Sequence, residues 1–143
     1  MTVKAILSIK GNDVTTTEPT ASLESAIKIL AERGIGALVV LGADHQVIGI
    51  LSERDIVRAL AERGAGALAE PLARAMTRKI STCTRSETVN SIMERMTAGK
   101  LRHLPVVAEE RLVGIVSIGD LVKHRLMEME REFEVLHDYI QTA

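Results

Sequence analysis

Ser52 and Asp55, and again Ser117 and Asp120, each stand three residues apart behind an aliphatic run, a spacing that could seat a ribose-phosphate. A strand that ends in Ser and turns into a helix leaves free backbone N–H groups at the helix start. Those amides and the helix dipole attract a phosphate. The Ser hydroxyl can add one hydrogen bond, and an Asp one turn in can accept from both hydroxyls of a ribose. The same pattern is also a capping box, in which Ser and Asp satisfy the helix's own amides, and a single copy would favour that structural reading. Here the pattern recurs and cations surround it. Arg54 and Arg58 follow the first copy; Lys123, with Arg102 and His103 from a strand entry, accompanies the second. Cations in a first helical turn oppose the dipole, so an anion seated there accounts for them better.

The elements that must position these residues are duplicated. Gly49-Ile50-Leu51-Ser52-Glu53-Arg54-Asp55-Ile56-Val57 is echoed by Gly114-Ile115-Val116-Ser117-Ile118-Gly119-Asp120-Leu121-Val122. Leu23, Ala26, Ile27 and Leu30 have amphipathic helix spacing, with Ser22 as N-cap and Gly34 as stop; Val89, Ile92, Met93 and Met96 repeat it, with Gly99 as the stop. Aliphatic runs follow at 35–41 and 101–107, then polar turns, then β-rich runs at 47–51 and 112–116. With short extended pieces in front, at 14–17 and 80–83, each unit reads β-α-β-β-α. Such an internal repeat predicts an α/β (α+β) fold of two units packed about a pseudo-two-fold axis. The expected divisions are a first repeat at 8–66, a linker at 67–75, a second repeat at 76–125 and a helical extension at 126–143. In that extension Leu126, Met129, Phe133, Leu136 and Ile140 continue a seam from Val122, alternating steps of four and three. The helix could run on the order of 30 Å, and its heptad seam suits a partner helix from another subunit better than its own core.

The two G-h-h-S-x-x-D-h steps (h aliphatic), the Arg102-His103-Leu104-Pro105-Val106-Val107 strand entry and the Met76-Thr77 opening of the second unit resemble the CBS-domain pair, named after cystathionine β-synthase. The likeness covers roughly residues 10 to 125 and is greatest to small stand-alone bacterial pairs, which carry Ile-Gly-Ala and Ser-Glu-Arg-Asp, then Arg-His-Leu-Pro and Ser-Ile-Gly-Asp. The resemblance implies a disc-like dimerising regulatory (Bateman) module that binds adenosine-containing ligands in clefts between repeats. One nucleotide site is then expected from Val14, Thr16, Gly36, Ala37, Ile50, Ser52, Glu53, Arg54 and Asp55. The other is expected from Ile80, Ser81, Thr82, Arg102, His103, Pro105, Ile115, Ser117, Ile118, Gly119, Asp120 and Lys123. Adenine would lie among Val14, Ile50, Ile80 and Ile115. Small Gly36-Ala37 stands where the second copy has Arg102-His103, so the second site is expected to take the phosphate-rich AMP, ADP or ATP. The first is expected to take a bulkier ligand such as NAD(H).

Composition narrows the alternatives. The 143 residues carry 18 Lys and Arg against 19 Asp and Glu, which gives no field for nucleic acid or an anionic membrane. One Tyr, one Phe and no Trp leave no platform for stacking bases. Cys83 is the single cysteine, so no intrachain disulfide or CxxC site is available, and it reads as buried filler rather than a redox sensor. His45, His103, His124 and His137 lack a metal spacing, and no GxSxG elbow supports a hydrolase. Neither a signal peptide nor a membrane span is evident. The expectation is a cytoplasmic, non-catalytic homodimer without a metal. It would sense cellular energy state and signal nucleotide occupancy to an unidentified effector protein, since no effector domain is attached. A structural adaptor with vacant sites is the alternative.

Overall fold

Each half closes around its own apolar cluster, and the computed structural model describes residues 1–142. In the first half, β1 (Thr16–Thr17) pairs parallel with β2 (Ala37–Leu41), which pairs antiparallel with β3 (Val47–Ser52). Helices α2 (Leu23–Arg33) and α3 (Glu53–Arg63) supply Leu23, Ala26, Leu30, Ile56 and Ala59 against Leu38, Val40 and Leu51 of the sheet. Burial of each large aliphatic is worth about 1.5–3 kcal/mol. Ala67, Leu72 and Met76 of the connecting segment close the same cluster.

The second half repeats this plan. Helix α4 (Val89–Gly99) packs on the hairpin β4 (His103–Ala108)–β5 (Arg111–Ser117), and α5 (Ile118–Thr142) follows. The register matches between copies: Ala37 faces Ser52 as His103 faces Ser117, and bulges fall at Val40/Leu41 and Val106/Val107. The expected extended piece at 80–83 contracts to one parallel bridge, Cys83 to Val106. Cys83 is buried there, and desolvation, then Glu87, push its thiol up to about 11, the state of an unreactive packing residue.

Helix ends follow local chemistry. The Ser22 hydroxyl accepts from the Ser25 amide, and Gly34 closes α2 in the left-handed region at φ 61°. In α4 the expected stop moves by one residue. Gly99 stays helical beneath the Leu101 side chain, and Lys100 takes the left-handed position at φ 54°.

The second core also contains a helix that the sequence reading passed over. Val3, Ile6 and Leu7 of α1 (Val3–Lys10) are buried with Ile92, Leu104 and Leu121. The Val3 and Lys4 amides donate to the Glu87 and Arg85 carbonyls, both at 3.0 Å, and take the place of a side-chain cap. At the other end of the chain, α5 leaves the body of the fold: residues 129–141 are exposed on every face.

Two equivalent glycines admit different neighbours. A Cβ on Gly49 would lie 2.9 Å from both the Thr77 carbonyl oxygen and Met76 Sδ, whereas one on Gly114 would meet only the Leu7 side chain, at 2.9 Å. Backbone cannot yield as a flexible side-chain end can. Gly49→Ala is therefore expected to cost about 1–3 kcal/mol in urea unfolding and Gly114→Ala distinctly less; equal losses would contradict this packing.

Candidate functional site

Both Ser/Asp steps form complete capping boxes. The Ser52 amide donates to Asp55 Oδ2 at 2.9 Å while the Asp55 amide donates to Ser52 Oγ at 3.4 Å. In the second copy the corresponding distances are 2.8 and 3.1 Å. The structural role weighed for these residues is thus real, and each step also opens onto a cleft.

Cleft A, about 220 Å³, joins Ile50, Ser52, Glu53, Arg54, Asp55 and Arg58 of the first repeat to Thr77 and to residues 100–103 of the second. Cleft B, about 360 Å³, joins Ile115, Ser117 and Asp120 of the second repeat to Lys10, residues 13–15 and residues 34–37. Each cleft therefore pairs the Ser/Asp step of one repeat with the strand entry of the other. This corrects the expected grouping: Val14 and Ala37 lie with Asp120, and Arg102 lies with Asp55, while Gly36 and His103 line both clefts. The exchange arises where the entries meet, since a Cβ on Gly36 would sit 3.7 Å from the His103 ring.

Several expected residues lie elsewhere. Thr16 lines a surface recess with Asn12 and Arg111; Ile118 and Gly119 line an open groove along α5, and Lys123 lines that groove and also a recess shared with Lys10 and Asp120. Pro105 is buried in β4, where its carbonyl accepts from the Cys83 amide at 3.0 Å. Ile80, Ser81 and Thr82 line neither cleft; the Thr82 carbonyl accepts from Arg95. The clefts also draw on residues outside the expected sets, among them Lys10, Arg58, Thr77 and Lys100. The Thr77 hydroxyl donates to Asp55 Oδ1 at 3.0 Å, and its amide donates to the Ile50 carbonyl at 2.9 Å. Lys10 Nζ lies 2.6 Å from Asp120 Oδ2 and donates to the Ile115 carbonyl at 2.8 Å.

Charge divides the clefts. Cleft A holds Arg54, Arg58, Lys100 and Arg102 against Glu53 and Asp55; cleft B holds Lys10 against Asp13 and Asp120. The electropositive cleft is thus the one at Ser52, the reverse of the expected order, because Arg102 crosses to it. Burial works to raise the Asp120 carboxyl, but hydrogen bonds from Lys10 and Ser117 outweigh it and hold the group below its ordinary range. Burial, reinforced by Lys10 and Arg102, lowers the pKa of His103 against the pull of Asp120 and Glu53. Among the described residues, no three His, Cys, Asp or Glu side chains converge as a metal site, and no helix is long and apolar enough to cross a membrane.

Comparison with known proteins places these features. The CBS-domain profile matches residues 3–62 and 72–126. A crystal structure of a CBS-domain-containing protein from Agrobacterium tumefaciens superposes with a TM-score of 0.84 at 45% identity, covering 87% of this chain and 92% of that one. The CBS domain pair of protein MJ0100, solved in complex with 5′-methylthioadenosine and S-adenosyl-L-methionine, superposes with a TM-score of 0.78 at 28% identity, covering 91% of this chain and 98% of that one. The mitochondrial CBS-domain protein CBSX3 of Arabidopsis thaliana is 34% identical over 120 residues, 81% of this chain; the chain spans 58% of that relative's length.

The lowered His103 pKa has a signed consequence. Between the unfolded value near ~6.5 and the lower folded value, the unfolded chain binds more protons, so stability falls as pH falls through this window. Denaturant unfolding from pH 7.5 to 5.5 is expected to show that loss, and His103→Gln to reduce it. An NMR titration of His103 at or above the free-imidazole value would contradict the assignment.

Proposed function

The chain belongs to the CBS-domain family, and from that premise we propose that it is a regulatory module, not an enzyme, that binds adenosine-containing ligands in its two inter-repeat clefts and reports their occupancy to another protein in the cytoplasm. The observation that carries this reading is the electropositive mouth of cleft A. Arg54 and Arg102 are exposed there and, among the described residues, make no ion pair, and the start of α3 lies beside them. Unpaired cations held beside a helix N-terminus suit a phosphate. Cleft A accordingly takes the phosphorylated ligand (AMP, ADP, ATP or the pyrophosphate of NAD(H)), and cleft B an uncharged nucleoside. The bound adenosine compounds of the MJ0100 pair support the ligand class.

Occupancy can act only through differential affinity for two conformations, and α5 is the element placed to report it. Its first turn carries Asp120, while Met129, Phe133, Leu136 and Ile140, each at least 57% exposed, form an uncovered apolar stripe. A helical segment the length of 129–141 is marginal alone in water, so a second copy of the chain is its proposed partner. A parallel pairing would set Arg125 against Glu130 of the other copy across the seam. The adaptor reading keeps one specific support, the completeness of both capping boxes without a ligand.

Calorimetry and thermal shift with adenosine, AMP, ADP, ATP, NAD⁺, NADH and S-adenosylmethionine separate the two readings. A ligand at 100 times its Kd stabilises by about 2.7 kcal/mol, a rise of a few degrees in Tm. Arg102→Ala is expected to weaken AMP binding about 10-fold or more and to leave adenosine binding unchanged. No shift with any ligand would favour the adaptor. For the dimer, Phe133→Glu is expected to give monomers in analytical ultracentrifugation with both repeats folded; an unchanged sedimentation coefficient would reject the proposed helix pairing.

A further inference from the structure

The two carboxylates are held by the same bonds made with different chemistry. In cleft A, Thr77 gives its amide to the Ile50 carbonyl and its hydroxyl to Asp55. In cleft B, the single ammonium of Lys10 reaches the two equivalent groups, the Ile115 carbonyl and the Asp120 carboxylate. Asp55 is only 5% exposed, and both of its oxygens are engaged, Oδ2 by Ser52 and Oδ1 by Thr77. Asp120 is 24% exposed, and its bonds from Ser117 and Lys10 all fall on Oδ2. Asp120 Oδ1 thus receives neither the Ser117 amide nor Lys10, and the residue lines the cleft beside an ammonium with a third proton to give.

A carboxylate and an ammonium side by side match a vicinal diol. One hydroxyl donates to the carboxylate while its neighbour accepts from the ammonium, and both bonds are charge-assisted. Building on the nucleoside reading of cleft B, and on an Asp120 that accepts from the ribose, we infer that Lys10 is a further specificity-determining residue of that cleft, whose ammonium completes the reading of the 2′,3′-diol. The residue comes from outside the duplicated unit: it ends α1, whose Val3, Ile6 and Leu7 are fixed in the second core. Gly11, next in sequence, has φ 101° with open space around it, and turns the chain directly into the residue 13–15 wall of cleft B. A ligand held by Lys10 thus engages α1 and, through Asp120, the first turn of α5 together. Thr77 cannot act in this way, because its one hydroxyl proton is spent on Asp55, which is only 5% exposed.

The test is isothermal titration of adenosine, 2′-deoxyadenosine and 3′-deoxyadenosine into the full chain and its Lys10→Met, Lys10→Arg and Asp120→Asn variants, each first checked for folding by circular dichroism. The wild type is expected to prefer adenosine over either deoxynucleoside by about 10-fold or more. Lys10→Met is expected to lose that preference by weakening adenosine alone, Lys10→Arg to retain it, and Asp120→Asn to lose it as well. Should Lys10→Met fail to fold, Lys10→Gln carries the same comparison. Adenosine bound more tightly by Lys10→Met would make the ammonium a plug and overturn the inference. Equal weakening of all three nucleosides would make it purely structural and overturn it too. A wild type that binds the three alike removes the role of Lys10 and leaves the nucleoside reading standing. A folded wild type that binds none of them removes both.

Discussion

Everything in this fold that could respond to a ligand hangs on two carboxylates at strand-to-helix turns. Asp55 fastens the last amide of β3 to the first turn of α3 and, through Thr77, ties both to the segment entering the second repeat. Asp120 fastens β5 to α5 and, through Lys10, ties both to α1. A buried charge with its hydrogen bonds intact is tolerable; the same charge stripped of a partner is costly. Each Asp therefore constrains three chain segments at once, and a change at any of them is felt at the others. Each set of bonds stays with its own core: Thr77 follows Met76 of the first cluster, and Lys10 ends a helix packed in the second.

This arrangement removes the opposition between a cap and a binding site. A capping box fixes where the helix starts, and the fixed start is what brings neighbouring cations into register with an incoming phosphate. In cleft A the Asp55 carboxylate serves to build the turn, and Arg54, Arg58, Lys100 and Arg102 supply the positive charge that lines the cleft. In cleft B the carboxylate retains exposed acceptor surface, and the cation beside it is already paired. Duplication supplied two equivalent turns; the residues reaching them from outside made the turns unequal.

The features legible in the sequence were those written at short range. Apolar spacing at Leu23, Ala26 and Leu30 and its echo at Val89, Ile92 and Met96 located the paired helices, and the repeated Ser-x-x-Asp located both turns. Resemblance to the CBS pair then gave the fold. The exchange of strand entries was not legible, because local order joins Ala37 to Ser52 across one hairpin and says nothing about which helix start lies opposite Arg102. Helix α1 was legible and passed over: Val3, Ile6, Leu7 and Lys10 follow the same 3,4,7 spacing, which sets the exposed Lys10 on the same face as the three buried residues. Thr77 could be recognised only by its non-local bonds to Ile50 and Asp55.

The asymmetry of the two halves has a direction. Helix α3 ends at Arg63 and is covered at once by the connecting segment, whereas α5 runs on beyond the fold with its apolar stripe exposed. The body of α3 is held within the first core, where Ile56 and Ala59 cluster with Leu72 and Met76. A rotation at the first turn of α5 is transmitted differently, because a helix is stiff along its axis and the stripe lies tens of ångströms from Asp120 at about 1.5 Å per residue. A few degrees at Asp120 become a displacement that grows along the stripe. Of the two clefts, B therefore adjoins the helix that leaves the fold, while A carries the stronger positive field.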